Sequence, residues 1–302
     1  MGFAAERIWR FIRGTKPTYA VNAHLLPSKV LGLEVERPQN FNYRPGDYLY
    51  LRCPEVSRYE WHPFTISSAP EDKETLSVHI RAVGSWTGAI HELFQQQREA
   101  ILSQNGHYMN GHAAPEVRVP VYLDGPYGAP SSHIFESNVA ILIGAGIGVT
   151  PFASILKSIL HRKQQGDTTM KLNKVYFFWV NREQQAFEWF LNLLTQIEAE
   201  DTERLIDINV YLTGVQKESD MKSSTLFIAM DLLHTESQVD LITGLRTPTQ
   251  RGRPNWDKIF QSIAEKHEPV KPDVYFCGPP GLSTILKQAS EKFEFGYRKE
   301  NF

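Results

Sequence analysis

The hydrophobic rhythm of the chain changes near its middle. Up to about residue 135, short runs of alternating apolar and polar positions appear at 19–26, 30–36, 47–52, 63–67 and 76–83, with turn residues between them. A period of two predicts β-strands. RPGD, residues 44–47, is a turn signal just before one of these runs. In TLSVHIRAV, Leu76, Val78, Ile80 and Ala82 make one apolar face, and the other presents His79 and Arg81 side by side. GAIHELFQQQ, residues 88–97, reads as a short helix, while 98–118 have little periodicity and read as a loop insertion. Short strands with a single helix predict a small antiparallel β-barrel.

Beyond about residue 136 the runs lengthen. Buried strands are expected at 138–144, 174–182, 207–213 and, last, 273–278. Helices are expected at 151–163, 186–200, around 226–233 and finally at 281–293. Strands alternating with helices predict a parallel, helix-covered sheet. The fold class is therefore two-domain: an antiparallel barrel followed by an α/β parallel-sheet domain. The division is 1–17 as a basic and aromatic leader, 18–135 as the barrel and 136–302 as the α/β domain.

Composition adds limits. Hydrophobic residues at 41% and charged residues at 22% are ordinary for a globular chain. A net charge of −2 gives no global electrostatic footprint for nucleic acid. The two cysteines, Cys53 and Cys277, lie far apart and neither belongs to a CxxC, so no metal site is expected and a reducing compartment is. Residues 139–156 have the length of a membrane span, but three glycines and Pro151 interrupt them, which suits a strand, a turn and a helix better. No signal peptide is apparent, and Glu6 stands where a myristoylation signal has Ser or Thr. In ERIWRFIRGTK, residues 6–16, aromatic and aliphatic side chains are interleaved with cations. That suits the cytoplasmic edge of a membrane, and equally a solvated first helix packed on the domain.

Four stretches carry candidate chemistry. GAGIGVTP, residues 144–151, lies between a buried strand and a helix. Glycines there let a phosphate approach the backbone, and the helix start offers free N–H groups; a tight turn with no ligand is the plain alternative. The spacing is Gly-x-Gly-x-Gly, not the usual GxGxxG. The next strand ends in FWVNR, with Arg182 where an NAD site has an acidic residue, and RGRP adds Arg251 and Arg253. Arginines suit a 2′-phosphate, which favours NADPH over NADH, while a solvated strand-end charge is the plain alternative for Arg182. DVYFCGPPG brings Cys277 to a strand end, either near a nicotinamide or as an inert buried thiol. HPFTISS sends His62 and Phe64 to one side of a strand. With His79, Arg81 and the GSWTG turn, residues 84–88, this could cradle a flavin and its pyrophosphate; a satisfied structural histidine in the strand is the plain alternative.

Taken in order, HPFT, HIRAVGSWTG, DGPYG, GAGIGVTP, CGPPG and the terminal ENF resemble the ferredoxin–NADP⁺ reductase superfamily, and within it the dehydrogenase region of NADPH oxidases. HPFT, FWVNR with FEWF at 187–190, GRPNW at 252–256 and ENF mark the oxidase branch, and MDLLHTESQVDLITGLRT and GRPNW look most like the calcium-regulated, oxidase-5 type. The resemblance covers about residues 6–302 and implies an FAD-binding barrel followed by an NADP-binding domain. It carries flavin contacts to His62, Pro63, Phe64, Thr65, His79, Ile80, Arg81, Trp86 and Thr87. It carries NADPH contacts to Gly144, Gly146, Gly148, Thr150, Arg182, Arg253, Cys277 and Gly278. Thr65 would hydrogen-bond near the flavin's reactive edge, and Cys277 and Gly278 would position the nicotinamide. Phe302, the last residue, would stack on the flavin face until nicotinamide displaces it.

The activity so implied is hydride transfer from NADPH to FAD, then single electrons to haem in a membrane part and on to oxygen, giving superoxide. No side chain is needed as a general acid or base. The chain would be a soluble catalytic piece at the cytoplasmic face of a membrane. Its partners would be the haem-bearing transmembrane domain of the same full-length chain, a calcium-sensing regulatory domain, and the membrane surface through 6–16. The alternatives are a ferric-chelate reductase flavodomain, a soluble diaphorase, and a non-catalytic reductase-like interaction module.

Overall fold

The computed structural model describes residues 16–105, 118–182, 188–214, 239–240 and 243–300. Residues 6–15 of the basic leader, the helix expected around 226–233, and Phe302 lie outside them. The chain forms two compact units, residues 1–128 and 129–302.

In the first unit, β1 (Thr18–Leu26), β2 (Val30–Glu36), β3 (Tyr48–Arg52), β4 (His62–Thr65), β5 (Thr75–Arg81) and β6 (Val119–Tyr127) form one sheet in the order β4-β3-β6-β1-β2-β5. Every pairing is antiparallel. An antiparallel bridge between Ile66 and Val78 joins the two edges, so the sheet closes as the barrel expected from the alternation. Leu31, Leu33, Leu49, Leu51, Val78, Ile80 and Val121 point inward and are fully buried. Helix α1 (Ser85–Asn105) adds Trp86, Ile90 and Phe94, spaced four apart on one face, to the same core.

Three expectations need correction here. The helix is not confined to 88–97: it starts at Ser85 and runs to Asn105, so GSWTG is mostly its first turn and 98–105 are helical rather than loop. Strand β6 was hidden by Pro120, which sits inside it opposite Tyr19 and breaks the usual strand composition.

In the second unit, β7 (Val139–Ala145), β8 (Lys174–Asn181), β9 (Ile206–Leu212), β10 (Gln250–Arg251), β11 (Asp273–Cys277) and β12 (Gly296–Lys299) pair in parallel in the order β10-β9-β8-β7-β11-β12. The third correction is that 273–278 is not the last strand. YRK of the terminal YRKENF adds β12 to the sheet edge beside β11. Helices α2 (Thr150–Gln164) and α3 (Glu188–Glu200) contribute Phe152, Ile155, Leu156, Phe190 and Leu194 to one core, shared with Ala140, Leu142 and Phe177 of the strands. Helices α4 (Trp256–His267) and α5 (Pro280–Lys292) contribute Phe260, Ile263 and Leu286 to the other, shared with Ile141, Ile143 and Phe276. Alternate strand residues thus serve opposite faces, which is why these strands read as continuous apolar runs. Helix α4, capped by the Asn255 side chain accepting from Lys258 N at 3.1 Å, was not expected from the sequence.

Candidate functional site

Two groups of residues answer to the candidate stretches, one in each unit. In the first unit, β4 places His62 and Phe64 on the same face, and both rings stack on Trp86. The ring centroids are 4.2 Å apart for His62 and 5.9 Å for Phe64, each pair inclined by 26°. Trp86 is 5% exposed, and its indole N–H has no hydrogen-bond partner among the described residues. A buried donor left unpaired costs roughly 1–3 kcal/mol, so it marks a place where an acceptor belongs. His79 pairs with Ser67 Oγ at 2.8 Å, Thr65 is buried, Pro63 is exposed and Arg81 is exposed at the strand end.

Two of the expected flavin residues have their side chains occupied elsewhere. Ile80 is fully buried in the barrel core, so only its main chain is left for a ligand. Thr87 Oγ1 accepts from Val83 N at 3.1 Å and Gly84 N at 2.9 Å and donates to Gly84 O at 3.2 Å, which fixes the entry into α1. What remains is an aromatic platform, an unpaired indole N–H, an exposed arginine and the start of a helix. That set fits a flat aromatic ligand with an anionic tail.

In the second unit the order of strands matters. β8, β9 and β10 lie to one side of β7, and β11 and β12 to the other. Ligands in open α/β sheets bind outside the carboxyl ends of the strands where the order reverses, here between β7 and β11. The register sets Cys277, Gly144, Trp179 and Val210 in one row. Two residues further out, Asn181, Leu212 and Arg251 form another. GAGIG and CGPPG therefore end neighbouring strands, and they touch. A Cβ on Gly148 would overlap Cys277 O, and one on Gly278 would lie 2.8 Å from Ala145 Cβ. Gly146 takes φ +59°, a left-handed conformation that favours glycine. Its carbonyl accepts from Trp179 Nε1 at 3.2 Å.

No side chain caps either α2 or α5, the helices that follow these two turns. Thr150 N–H donates to Ile147 O, and Leu282 N–H donates to Pro279 O at 3.1 Å, so what these helix starts offer an anion is chiefly their positive dipole ends. Thr150 Oγ1 donates to Ile147 O at 2.7 Å, so its hydroxyl holds the turn. Arg182 and Arg253 are exposed at the ends of β8 and β10, and neither has an ion pair among the described residues. The Arg182 main chain is pressed by Gly214, where a Cβ would overlap the Arg182 carbonyl. Glycine turns, uncapped helix starts and arginines fit a dinucleotide.

Cys277 is 4% exposed, and burial, with the Glu300 carboxylate adding to it, pushes its thiol up to about 12. It is a neutral thiol at physiological pH, suited to packing against a ring and not to nucleophilic attack. Glu300 was missed from the sequence. It is 4% exposed, its Oε1 accepts from Ser131 N at 2.6 Å, and its own N–H donates to Phe276 O at 2.8 Å. Nothing local announces such a contact across the unit. Trp179 and Asn181 were visible in FWVNR, but a sequence pattern gives strand residues no direction toward a neighbouring turn.

Comparison with known proteins agrees with this division. The family described as "Ferric reductase NAD binding domain" matches residues 137–291, and that described as "FAD-binding domain" matches 16–131. The chain is 44% identical to NADPH oxidase 5 of Homo sapiens over 93% of its own length and 41% of that protein's. It is 39% identical to a superoxide-generating NADPH oxidase heavy chain of Dictyostelium discoideum, over 99% of its length and 57% of that protein's. The chain thus spans about half the length of these relatives. Among solved structures, a ferredoxin NADP⁺ reductase from Neisseria gonorrhoeae with bound FAD and NADP shares the fold. Its TM-score is 0.62 at 13% identity, over 95% of this chain and 98% of that one. Motif, fold and family match converge, and the chain belongs to the ferric reductase NAD-binding family, with an FAD-binding domain preceding the nucleotide domain.

Proposed function

We propose that this chain is the dehydrogenase part of an NADPH oxidase. It transfers hydride from NADPH to FAD and delivers electrons singly to haem in a membrane part of the longer protein, where oxygen is reduced to superoxide. The observation that carries the reading is the meeting of GAGIG and CGPPG at the strand-order reversal, with uncapped helices behind both and arginines at the next strand ends. The likeness to the two oxidases supports the choice of acceptor.

In this reading His62, Pro63, Phe64, Thr65, His79, Ile80, Arg81, Trp86 and Thr87 hold the flavin. Gly144, Gly146, Gly148 and Thr150 form the turn that receives the pyrophosphate of NADPH. Arg182 and Arg253 pair with the 2′-phosphate, while Cys277 and Gly278 seat the nicotinamide. Bound FAD supplies the conversion of a two-electron donor into single electrons, and the protein supplies position and electrostatics. Phe302 belongs to the same proposal as a ring that nicotinamide must displace. Its deletion should change the KM for NADPH and the turnover rate, and an unchanged pair of constants would make it a plain anchor.

The test is NADPH oxidation by the FAD-reconstituted chain with ferricyanide as artificial acceptor. Turnover that depends on added FAD is expected. FAD uptake without NADPH consumption would favour the non-catalytic module. The ferric reductase family match favours a second reading, with chelated iron as the final acceptor. Full-length protein offered oxygen or ferric citrate separates the two.

A calcium-sensing domain and a membrane contact through residues 6–16 complete the proposal, on the resemblance of MDLLHTESQVDLITGLRT and GRPNW to the calcium-regulated type and the alternation of cations and aromatics. Calcium dependence of the full-length rate tests the first. Co-sedimentation with anionic vesicles, with and without residues 1–15, tests the second.

A further inference from the structure

We infer that Asn181 is a nucleotide contact: its carboxamide N–H donates to a ribose or phosphate oxygen on the adenosine half of the bound dinucleotide. The inference rests on the dinucleotide reading of the second unit and adds a residue to it. Asn181 ends β8 and is 3% exposed. Its main-chain carbonyl is doubly held, accepting from Thr213 N at 2.7 Å and Thr213 Oγ1 at 3.0 Å. The side chain is directed at the glycine turn, with Oδ1 3.9 Å from where a Gly146 Cβ would stand. Its Nδ2 is buried and has no hydrogen-bond partner among the described residues. Buried amide donors are almost always paired, so an orphan fixed beside a phosphate-type turn and the uncapped start of α2 signals an absent acceptor.

Register decides which half of the ligand it meets. Across the sheet, Cys277 lies on one side of Gly144, while Asn181 lies on the other, in the row of Leu212 and Arg251. If Cys277 seats the nicotinamide and the turn after β7 the pyrophosphate, the strand beyond faces the adenosine half. A neutral carboxamide suits that place. It donates to hydroxyl and phosphate oxygens alike, whereas a carboxylate would repel the phosphates.

The experiment is calorimetric titration of wild type, Asn181→Ala and Asn181→Asp with NADP⁺ and with 2′-phospho-AMP, which carries only the adenosine half. Melting curves without nucleotide accompany it, and nicotinamide mononucleotide is the control. Losing one hydrogen bond should weaken both adenosine ligands by about threefold to tenfold in Asn181→Ala. Asn181→Asp, nearly isosteric and without the donor, should weaken them further, with the control unchanged. Wild-type affinity for both ligands in either folded variant overturns the inference and leaves the dinucleotide reading standing. If wild type binds neither ligand, the dinucleotide reading fails and the inference with it.

Discussion

Burial decides the chemistry of Cys277 and gives it a measurable consequence. Its thiol is raised from 9.0 to about 12, and burial likewise raises Tyr43 from 10.0 to about 12. Between those values the folded protein keeps protons that the unfolded chain has released. The stability these neutral groups contribute is complete below about pH 9 and drains away as pH rises toward 12. Cys277→Ala removes its share and leaves that of Tyr43. The melting temperature of the variant should fall less steeply between about pH 9 and 11 than that of wild type; parallel curves would contradict the assignment. Gly148 offers a second test. A methyl there meets the Cys277 main chain, which has no flexible end to yield, so Gly148→Ala should destabilise the second unit by about 1–3 kcal/mol. Chemical denaturation would show it, and an unchanged midpoint would mean the two turns are not in contact.

Elements whose cores lie on one regular stripe were legible in the sequence, and elements defined by tertiary context were not. Alternation in TLSVHIRAV gave β5 its face, and Trp86, Ile90 and Phe94 lie on a single helical stripe. The two-residue β10 and the four-residue β12 carry no pattern long enough to detect, and they exist because β9 and β11 offer open edges. The candidate site followed the same division. Glycine turns and strand-end arginines were readable because their chemistry is local. Asn181 and Glu300 were not, because burial and the direction of a side chain come from packing. The strand ends themselves make a prediction. If Arg182 and Arg253 read the 2′-phosphate, replacing either with Ala should weaken NADP⁺ by about tenfold or more and NAD⁺ by less than about twofold. Equal losses for both nucleotides would remove that role.

At the scale of the molecule, each of the two units offers what the other lacks. The barrel presents stacked aromatic rings and an unpaired indole N–H, and the α/β unit presents glycine turns at a strand-order reversal. Among the described residues no helix is long and apolar enough to cross a membrane. The chain spans about half the length of these relatives, and in the proposed reading the final acceptor is met outside the part it spans. Passage of reducing equivalents from NADPH to a bound flavin is the claim this chain can answer for by itself. Stopped-flow absorbance of the FAD-loaded chain, mixed with NADPH in the absence of oxygen, tests it most directly. Bleaching of the visible flavin band, faster with NADPH than with NADH at equal concentration, is the expected result. A band that stays unbleached while FAD is demonstrably bound would contradict the account.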